Sequence, residues 1–433
     1  MKNQYCYAIY NISTFQALSQ GQTLVSPSQI FELGFFSLNN SANLYIGLWY
    51  KQMSTTKVVW VANREKPVKA THFPANVIIG RRGNLELLDG KNSSLWSTKV
   101  NLSSTNNSIA VLLDNGDLVI KDGSSGEELW HSFQHPVNAF LPGAKAGFNV
   151  KTGERCVLTS WKNDTSDPSH GNFVVGLAPQ RPPEAFIWIN GTTPYWRSGP
   201  WDKSKFTGVP DMNTFFRSPF NILEDVDMGS TYLYLNWYNS STFLTLVLSS
   251  EGVLKIMLKG RGHDWFTNWE APKTHCDIYG VCGPFGACKS FESSICKCGK
   301  GFEPKSFEEW SKGNWTGGGC LRRNKLHYCG KNRSGLASQE GKMDGFWKIS
   351  NVKLPDLYDF VELGISVDGD NCKKWCLNNC SCVASAFVDG IGCLVWSEGL
   401  MDIQGFTFGG EDLFLRLAHA ELGESNNVTI ARY

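Results

Sequence analysis

Cysteine is the residue whose spacing here could do most chemistry. Cys276, Cys282, Cys288, Cys296, Cys298 and Cys320 crowd a glycine-rich run of about 45 residues, and Cys329, Cys372, Cys376, Cys380, Cys382 and Cys393 follow. Cys6 and Cys156 stand alone. Such clusters serve either zinc or disulfides. A structural zinc site wants short knuckles of the C-x₂₋₄-C kind. Cys372 and Cys376 have that spacing, but Cys296-x-Cys298 and Cys380-x-Cys382 are too close for it. A segment this short cannot bury enough apolar surface to hold itself, so disulfides are expected and no metal. Spacing alone leaves the connectivity open. Cys6 and Cys156 have three fates open to them: free, paired together, or bonded to a second chain.

The remaining reactive side chains point away from catalysis. His131 and His135 lie close to Glu127 and Glu128, which could serve acid–base chemistry, but they flank a strand ending at Trp130 and precede Pro136. No G-x-S-x-G, H-E-x-x-H or P-loop run occurs, nor a kinase's Gly-rich loop, V-A-I-K, H-R-D or D-F-G. The chain therefore reads as non-enzymatic, with no catalytic residue and no cofactor. Arg81-Arg82 and Arg322-Arg323 are expected to be solvated pairs.

At 433 residues the chain is too long for one core and should divide into three or four domains. Its 41 basic and 40 acidic residues leave a net charge of +1, which argues against a nucleic-acid partner. Sixteen tryptophans and 43 glycines suit β-rich domains with tight turns. Glycosylation sequons stand at Asn11, Asn39, Asn92, Asn101, Asn106, Asn163, Asn190, Asn239, Asn314, Asn332, Asn379 and Asn427. Twelve sequons beside clustered cysteines indicate an oxidising, secretory route. The opening Met1–Tyr10 lacks the apolar core of a signal sequence, and no apolar run reaches the length of a membrane span. The simplest expectation is a sequence clipped at both ends.

The elements that must position these residues are mostly strands. Gly83–Gly90 leads to Leu95-Trp96-Ser97, and Gly116–Gly123 leads to Leu129-Trp130-His131-Ser132; each is a turn, an alternating strand, an Asp-Gly turn and a strand ending in tryptophan. Trp60 and Trp96 are 36 residues apart, Trp96 and Trp130 are 34 apart. Near-equal periods imply three similar sheets around one core in which the tryptophans meet, a β-prism. Farther on, Tyr232–Trp237 and Phe243–Leu248 flank Asn239-Ser240-Ser241, and Ser250-Glu251-Gly252 turns into Val253–Ile256, which reads as a meander. Bounded by Asp370, the run from Cys372 suits a short helix carrying Cys372 and Cys376 on one face.

Several runs resemble a known family. Phe31–Phe36, Ile46–Tyr50, Trp60-Val61-Ala62-Asn63-Arg64 and Leu112–Val119 resemble the bulb-type lectin domain of plant S-domain receptor-like kinases. Leu158–Lys162, Asp167–Phe173 and Tyr195-Trp196-Arg197-Ser198-Gly199-Pro200-Trp201 resemble the S-locus glycoprotein domain. The first cysteine cluster, with Cys296-x-Cys298 followed by Gly301-Phe302, looks like an epidermal-growth-factor-like module. Cys372–Cys382, Gly392–Trp396 and Asp412–Leu417 resemble a PAN/apple domain. The resemblance implies a mainly β chain: a bulb-type lectin domain over 15–150, a second, degenerate lectin-like unit (the S-locus glycoprotein domain) over 151–270, the growth-factor-like module over 272–320 and the PAN/apple domain over 325–419.

The same resemblance implies the pairs Cys276–Cys288, Cys282–Cys296, Cys298–Cys320, Cys372–Cys393 and Cys376–Cys382, which leaves Cys329 with Cys380. It implies the extracellular, ligand-recognising region of a receptor kinase of the pollen-recognition family, without its membrane span or serine/threonine kinase. The ligand class stays open among peptide, lipid and glycan, and the partner is a homodimer or co-receptor engaged through the second lectin-like and PAN domains. Ligand loops would fall at Asp211–Ser218 and His263–Pro272. Location is secreted or on the outer face of the plasma membrane. A secreted mannose-binding defence lectin is the alternative. Bulb lectins hold mannose with Q-x-D-x-N-x-V-x-Y on one strand; here Leu113, Asn115, Asp117, Val119 and Lys121 occupy those places, and Val119 alone matches. Gly80, Arg82, Asn84, Glu86 and Leu88 on the related strand fit no better, so the mannose site is read as degenerate.

Overall fold

The computed structural model describes residues 7–39, 41–51, 57–69, 74–100, 107–211, 219–236, 242–260, 264–326, 343–364, 368–423 and 428–429. The chain is mainly β and falls into two compact units. Unit 1 comprises Met1–Leu177, Ile187–Thr193 and Pro219–Ala271; unit 2 comprises Ala178–Phe186, Pro194–Ser218 and Pro272–Tyr433.

Unit 1 begins with three sheets. One runs Gln22–Val25, Phe31–Phe36, Asn43–Tyr50 and Val58–Val61; the second, Asn76–Ile79, Leu85–Leu88 and Ser94–Ser97; the third, Ser108–Leu112, Leu118–Asp122 and Glu128–His131. Their alternating residues bury one face, as at Ser108–Leu112, where Ser108, Ala110 and Leu112 are buried. The expected meeting of the tryptophans occurs. Trp60, Trp96 and Trp130 lie 5.9, 6.1 and 6.2 Å apart pairwise, each pair edge to face, an arrangement the ring quadrupoles favour.

A second set of sheets follows in the same unit. Ser230–Leu235 pairs with Phe220–Asp225 and Lys145–Asn149, whereas Thr242–Leu248 pairs with Ala139–Phe140 and Leu254–Gly260. The meander expected across Asn239-Ser240-Ser241 is therefore corrected: the strands before and after it lie in different sheets, and residues 237–241 themselves are outside the described residues. Alternation marks a half-buried strand but does not choose its partner, and each sheet here is completed by a strand distant in sequence. Tyr50 links the two sets. Its ring packs on Phe31 and Phe243, and its hydroxyl donates to Leu244 O at 3.0 Å.

Unit 2 is built on a long mixed sheet with short α-helices, three among the described residues. Gly345–Lys353, Glu411–Leu417, Ala384–Val388, Gly392–Trp396 and Asp359–Val361 form most of it. At the other edge Ile403–Gly405 pairs in parallel with Gly286–Cys288, so the first cysteine cluster joins the same sheet. Helix Gly369–Asn378 carries the buried Cys372 and Cys376 on one face. Its cap is Asp368, whose carboxylate accepts from Asn371 N at 2.9 Å, two residues before the Asp370 that sequence pattern indicated. Asp370 sits in the first turn and pairs with Lys373. A carboxylate helps at either place, as cap or as partner of the helix dipole, which is why the pattern misplaced the boundary.

Candidate functional site

The five positions of the degenerate mannose motif do not share one strand. Leu113 to Asp117 form a tight turn closed by Gly116 N donating to Leu113 O, with Gly116 at φ +90°; the strand starts at Leu118. Asn115 is exposed, and its side-chain oxygen caps Asp117 N at 3.0 Å. Asp117 is buried, accepting from Ser132 Oγ at 2.9 Å and Phe133 N at 3.1 Å, with His131 Nδ1 2.8 Å away. Val119 is fully buried, Leu113 half-buried, and Lys121 Nζ pairs with Glu128 at 2.9 Å. The polar side chains of this stretch are thus occupied with one another. The related strand behaves alike: Gly80 to Asn84 turn, and Asn84 Oδ1 accepts from Val100 N at 2.6 Å and Thr98 Oγ1 at 3.0 Å. His131 and Glu128 belong to this internal network. His135 instead stacks on Trp130 with centroids 5.2 Å apart, and burial lowers its pKa.

In unit 2 the structure joins Cys276 to Cys288, Cys282 to Cys296, Cys298 to Cys320, Cys372 to Cys393 and Cys376 to Cys382. Their Cα separations run from 5.2 to 5.7 Å, inside the unstrained range. Cys380 is also disulfide-bonded, while Cys329, like Cys6, lies outside the described residues. Cys156 is a buried free thiol donating to Lys145 O, and burial pushes its pKa up to about 11, which leaves it unreactive. Of the sequons, Asn11, Asn39, Asn92, Asn163, Asn190 and Asn314 are exposed and Asn379 is half-buried. Asn101, Asn106, Asn239, Asn332 and Asn427 lie outside the described residues. So do 212–218 of the first expected ligand loop and His263 of the second. The loop expected over His263–Pro272 is corrected, because Phe266–Ala271 is a strand paired with Leu254–Gly260. Asp211 at the start of the first loop pairs with Lys273 at 2.8 Å.

Two buried arginines escaped the sequence reading. Arg197, in the Trp-Arg-Ser-Gly-Pro-Trp run, is fully buried; its guanidinium donates to Glu184 Oε1 at 2.8 Å and to Asp402 Oδ2 at 2.7 Å. Lys353 Nζ also approaches Asp402, at 2.9 Å, and Tyr279 donates to Asp356 at 2.7 Å. Two cations thus face three carboxylates. Burial, despite Arg197, raises the Glu184 pKa to about 7. Gly199 in the same run has φ +69°, and a Cβ there would come within 2.6 Å of Gly208 N, so only glycine fits. Arg416, in the Asp-Leu-Phe-Leu-Arg-Leu run, donates to Cys376 O and Asn379 O at 3.1 and 2.9 Å and to Asp344, bracing the Cys376–Cys382 loop. Arg322 is likewise not the solvated residue expected: its guanidinium lies 4.7 Å over Phe302, and Nη1 donates to Arg416 O. Side-chain length lets an arginine reach distant carbonyls, and nothing in its sequence neighbours reports that.

A cleft in unit 1 was also missed. It has a volume of about 630 Å³ and is lined by Trp60, Trp96 and Trp130 together with Lys66, Lys99 and His170. The tryptophan period was the signal that could have found it.

Three family models match, in order: D-mannose binding lectin over residues 57–162, S-locus glycoprotein domain over 196–306 and PAN-like domain over 329–403. Two G-type lectin S-receptor-like serine/threonine-protein kinases of Arabidopsis thaliana are 45% and 48% identical to this chain, over 416 and 405 residues. Those alignments cover 96% and 94% of it. The chain belongs to the G-type lectin S-receptor-like family. It spans about half the length of these relatives, 50% and 48% respectively. Among solved structures, monomeric monocot mannose-binding lectins from Gastrodia elata are similar at 16% identity and a TM-score of 0.22, covering 29% of this chain and 96% of theirs. In family terms, Arg64 of the lectin region is a strut, its guanidinium donating to Pro168 O at 2.8 Å and Ser160 O at 2.7 Å. Arg197 of the S-locus region and Arg416, beyond the PAN-like match, play the same part in unit 2. No helix among the described residues is long and apolar enough to cross a membrane.

Proposed function

We propose that this chain is the extracellular recognition region of an S-domain receptor kinase, divided into the four segments 15–150, 151–270, 272–320 and 325–419. In this reading the chain has no catalytic part, sits in the secretory route or at the cell surface, and meets an extracellular peptide, lipid or glycan while associating with a second copy or co-receptor. The observation that carries the reading is the ordered run of lectin, S-locus glycoprotein and PAN-like matches, shared at 45% identity or better with half of each receptor-like kinase relative. The mannose motif does not serve this role. Asn115 is spent on a turn, Asp117 on Ser132, Phe133 and His131, and Lys121 on Glu128. Each polar group that a sugar hydroxyl fails to meet costs about 1–3 kcal/mol, enough in total to cancel a weak monosaccharide affinity.

Two measurements test the reading. Calorimetric titration with methyl-mannoside is expected to show no saturable heat; a millimolar isotherm lost on Asn115→Ala would establish the secreted mannose-binding defence lectin instead. Joined to the membrane span and kinase of an Arabidopsis relative and expressed in plant cells, the chain is expected at the surface with glycans on Asn92 and Asn190. Retention inside the cell without glycans defeats the receptor assignment.

A further inference from the structure

The cleft beside the three tryptophans has the size of a ligand site, about 630 Å³, within the usual range for small-molecule pockets. Its lining combines indole surface with charge. Trp60 and Trp130 are buried, while Trp96 is half-buried and presents part of its ring. The charges there divide into spent and unspent. Arg64 is occupied by backbone carbonyls, and Glu65 is paired with His170. Lys66 and Lys99 are exposed, and neither makes an ion pair among the described residues. Lys99 is moreover held at φ +55°, a conformation uncommon for a lysine, at the rim of the cleft.

The unspent charge is therefore positive on both counts, beside a flat apolar surface. A free phosphate would meet the lysines but not the indole. A neutral sugar would meet the indole and leave both ammonium groups without a partner. A pyranose ring bearing a carboxylate meets both, because its C–H face lies on an aromatic ring while the carboxylate accepts charge-assisted hydrogen bonds. We infer that this cleft binds an acidic saccharide, a short uronate chain, with its rings against Trp96 and its carboxylates on Lys66 and Lys99. The inference rests on the cleft alone and stands apart from both the receptor assignment and the fate of the mannose motif.

The test is a tryptophan-fluorescence titration of the full chain with trigalacturonic acid at low salt. A saturable change in emission is expected. The double variant Lys66→Glu/Lys99→Glu, whose two sites are exposed and so leave the fold intact, should weaken binding about tenfold or more. Raising the ionic strength should weaken it as well, since both lysines face solvent. The fully methyl-esterified trimer and maltotriose should bind at least about tenfold more weakly than the acid. Lys121→Glu, on the strand Leu118–Asp122, should leave the affinity unchanged. Absence of saturation by about 10 mM, equal binding by the double variant, equal binding of the ester, or loss on Lys121→Glu would each overturn the assignment.

Discussion

Unit 1 closes its lectin core on Trp60, Trp96 and Trp130 and has no disulfide among its described residues, whereas five bridges between described residues and the buried guanidiniums of Arg197 and Arg416 hold unit 2. The difference follows from strand length and wrapping. Three sheets facing one another bury the apolar rows of their alternating strands, and burial of apolar area then suffices. The first cysteine cluster has strands of three residues, Gly286–Cys288 and Cys296–Cys298, which enclose little. Covalent links restrict its unfolded chain instead. Buried charge adds specificity more than stability, since desolvation offsets much of the attraction, yet removing one partner leaves the others stranded.

The comparison breaks most readily at Arg197. Arg197→Met strands Glu184 and Asp402 and should cost unit 2 about 3–5 kcal/mol, read by urea unfolding, with the edge-to-face tryptophan signal of unit 1 still native at the midpoint. A loss below about 1 kcal/mol would mean that the guanidinium is no more than a surface-grade ion pair. Next in size is Cys372→Ser. Loss of the bridge to Cys393 should cost about 2–5 kcal/mol and expose Cys393 to alkylation in mild denaturant. If unit 1 loses its tryptophan signal at the same denaturant concentration, the division into differently stabilised regions fails.

The smallest effect is on pH dependence. Glu184 titrates near 7 in the folded chain against an ordinary value of 4.5. The folded state therefore holds its proton longer than the unfolded one. The stability gained is fully present below about 4.5 and is lost as pH rises through about 7. Thermal unfolding of unit 2 should accordingly drop between those values, and Glu184→Gln should flatten the slope. An unchanged slope in the variant assigns the titration elsewhere.

Much of this was legible in the residues. The period of Trp60, Trp96 and Trp130 announced a shared core because repeated turns and strands impose repeated packing. Cysteine spacing excluded zinc knuckles at Cys296-x-Cys298 and Cys380-x-Cys382, and family resemblance supplied the pairing. Partner choice was not legible. Ser230–Leu235 and Thr242–Leu248 read as neighbours but separate into different sheets, since period and propensity describe one strand at a time. Nor could sequence show that Asp117 faces inward to Ser132 and His131, or that Lys66 and Lys99 come to one cleft from the loops that follow Val58–Val61 and Ser94–Ser97. Those facts depend on which loop a turn brings near, and the turn residues fix only local geometry.

The contact between Arg197 and Asp402 spans 205 residues of chain. Synthesis at roughly 5–20 residues per second means that the guanidinium waits on the order of 10–40 s for its partner to leave the ribosome. During that interval Glu184 and Arg197 have each other but not Asp402, and the segments that carry Lys353 and Asp402 are not yet both made. Unit 2 is thus obliged to assemble late, with its first three bridges, Cys276–Cys288, Cys282–Cys296 and Cys298–Cys320, able to close before its centre does. Under the proposed secretory route, that is a window in which oxidation runs ahead of packing.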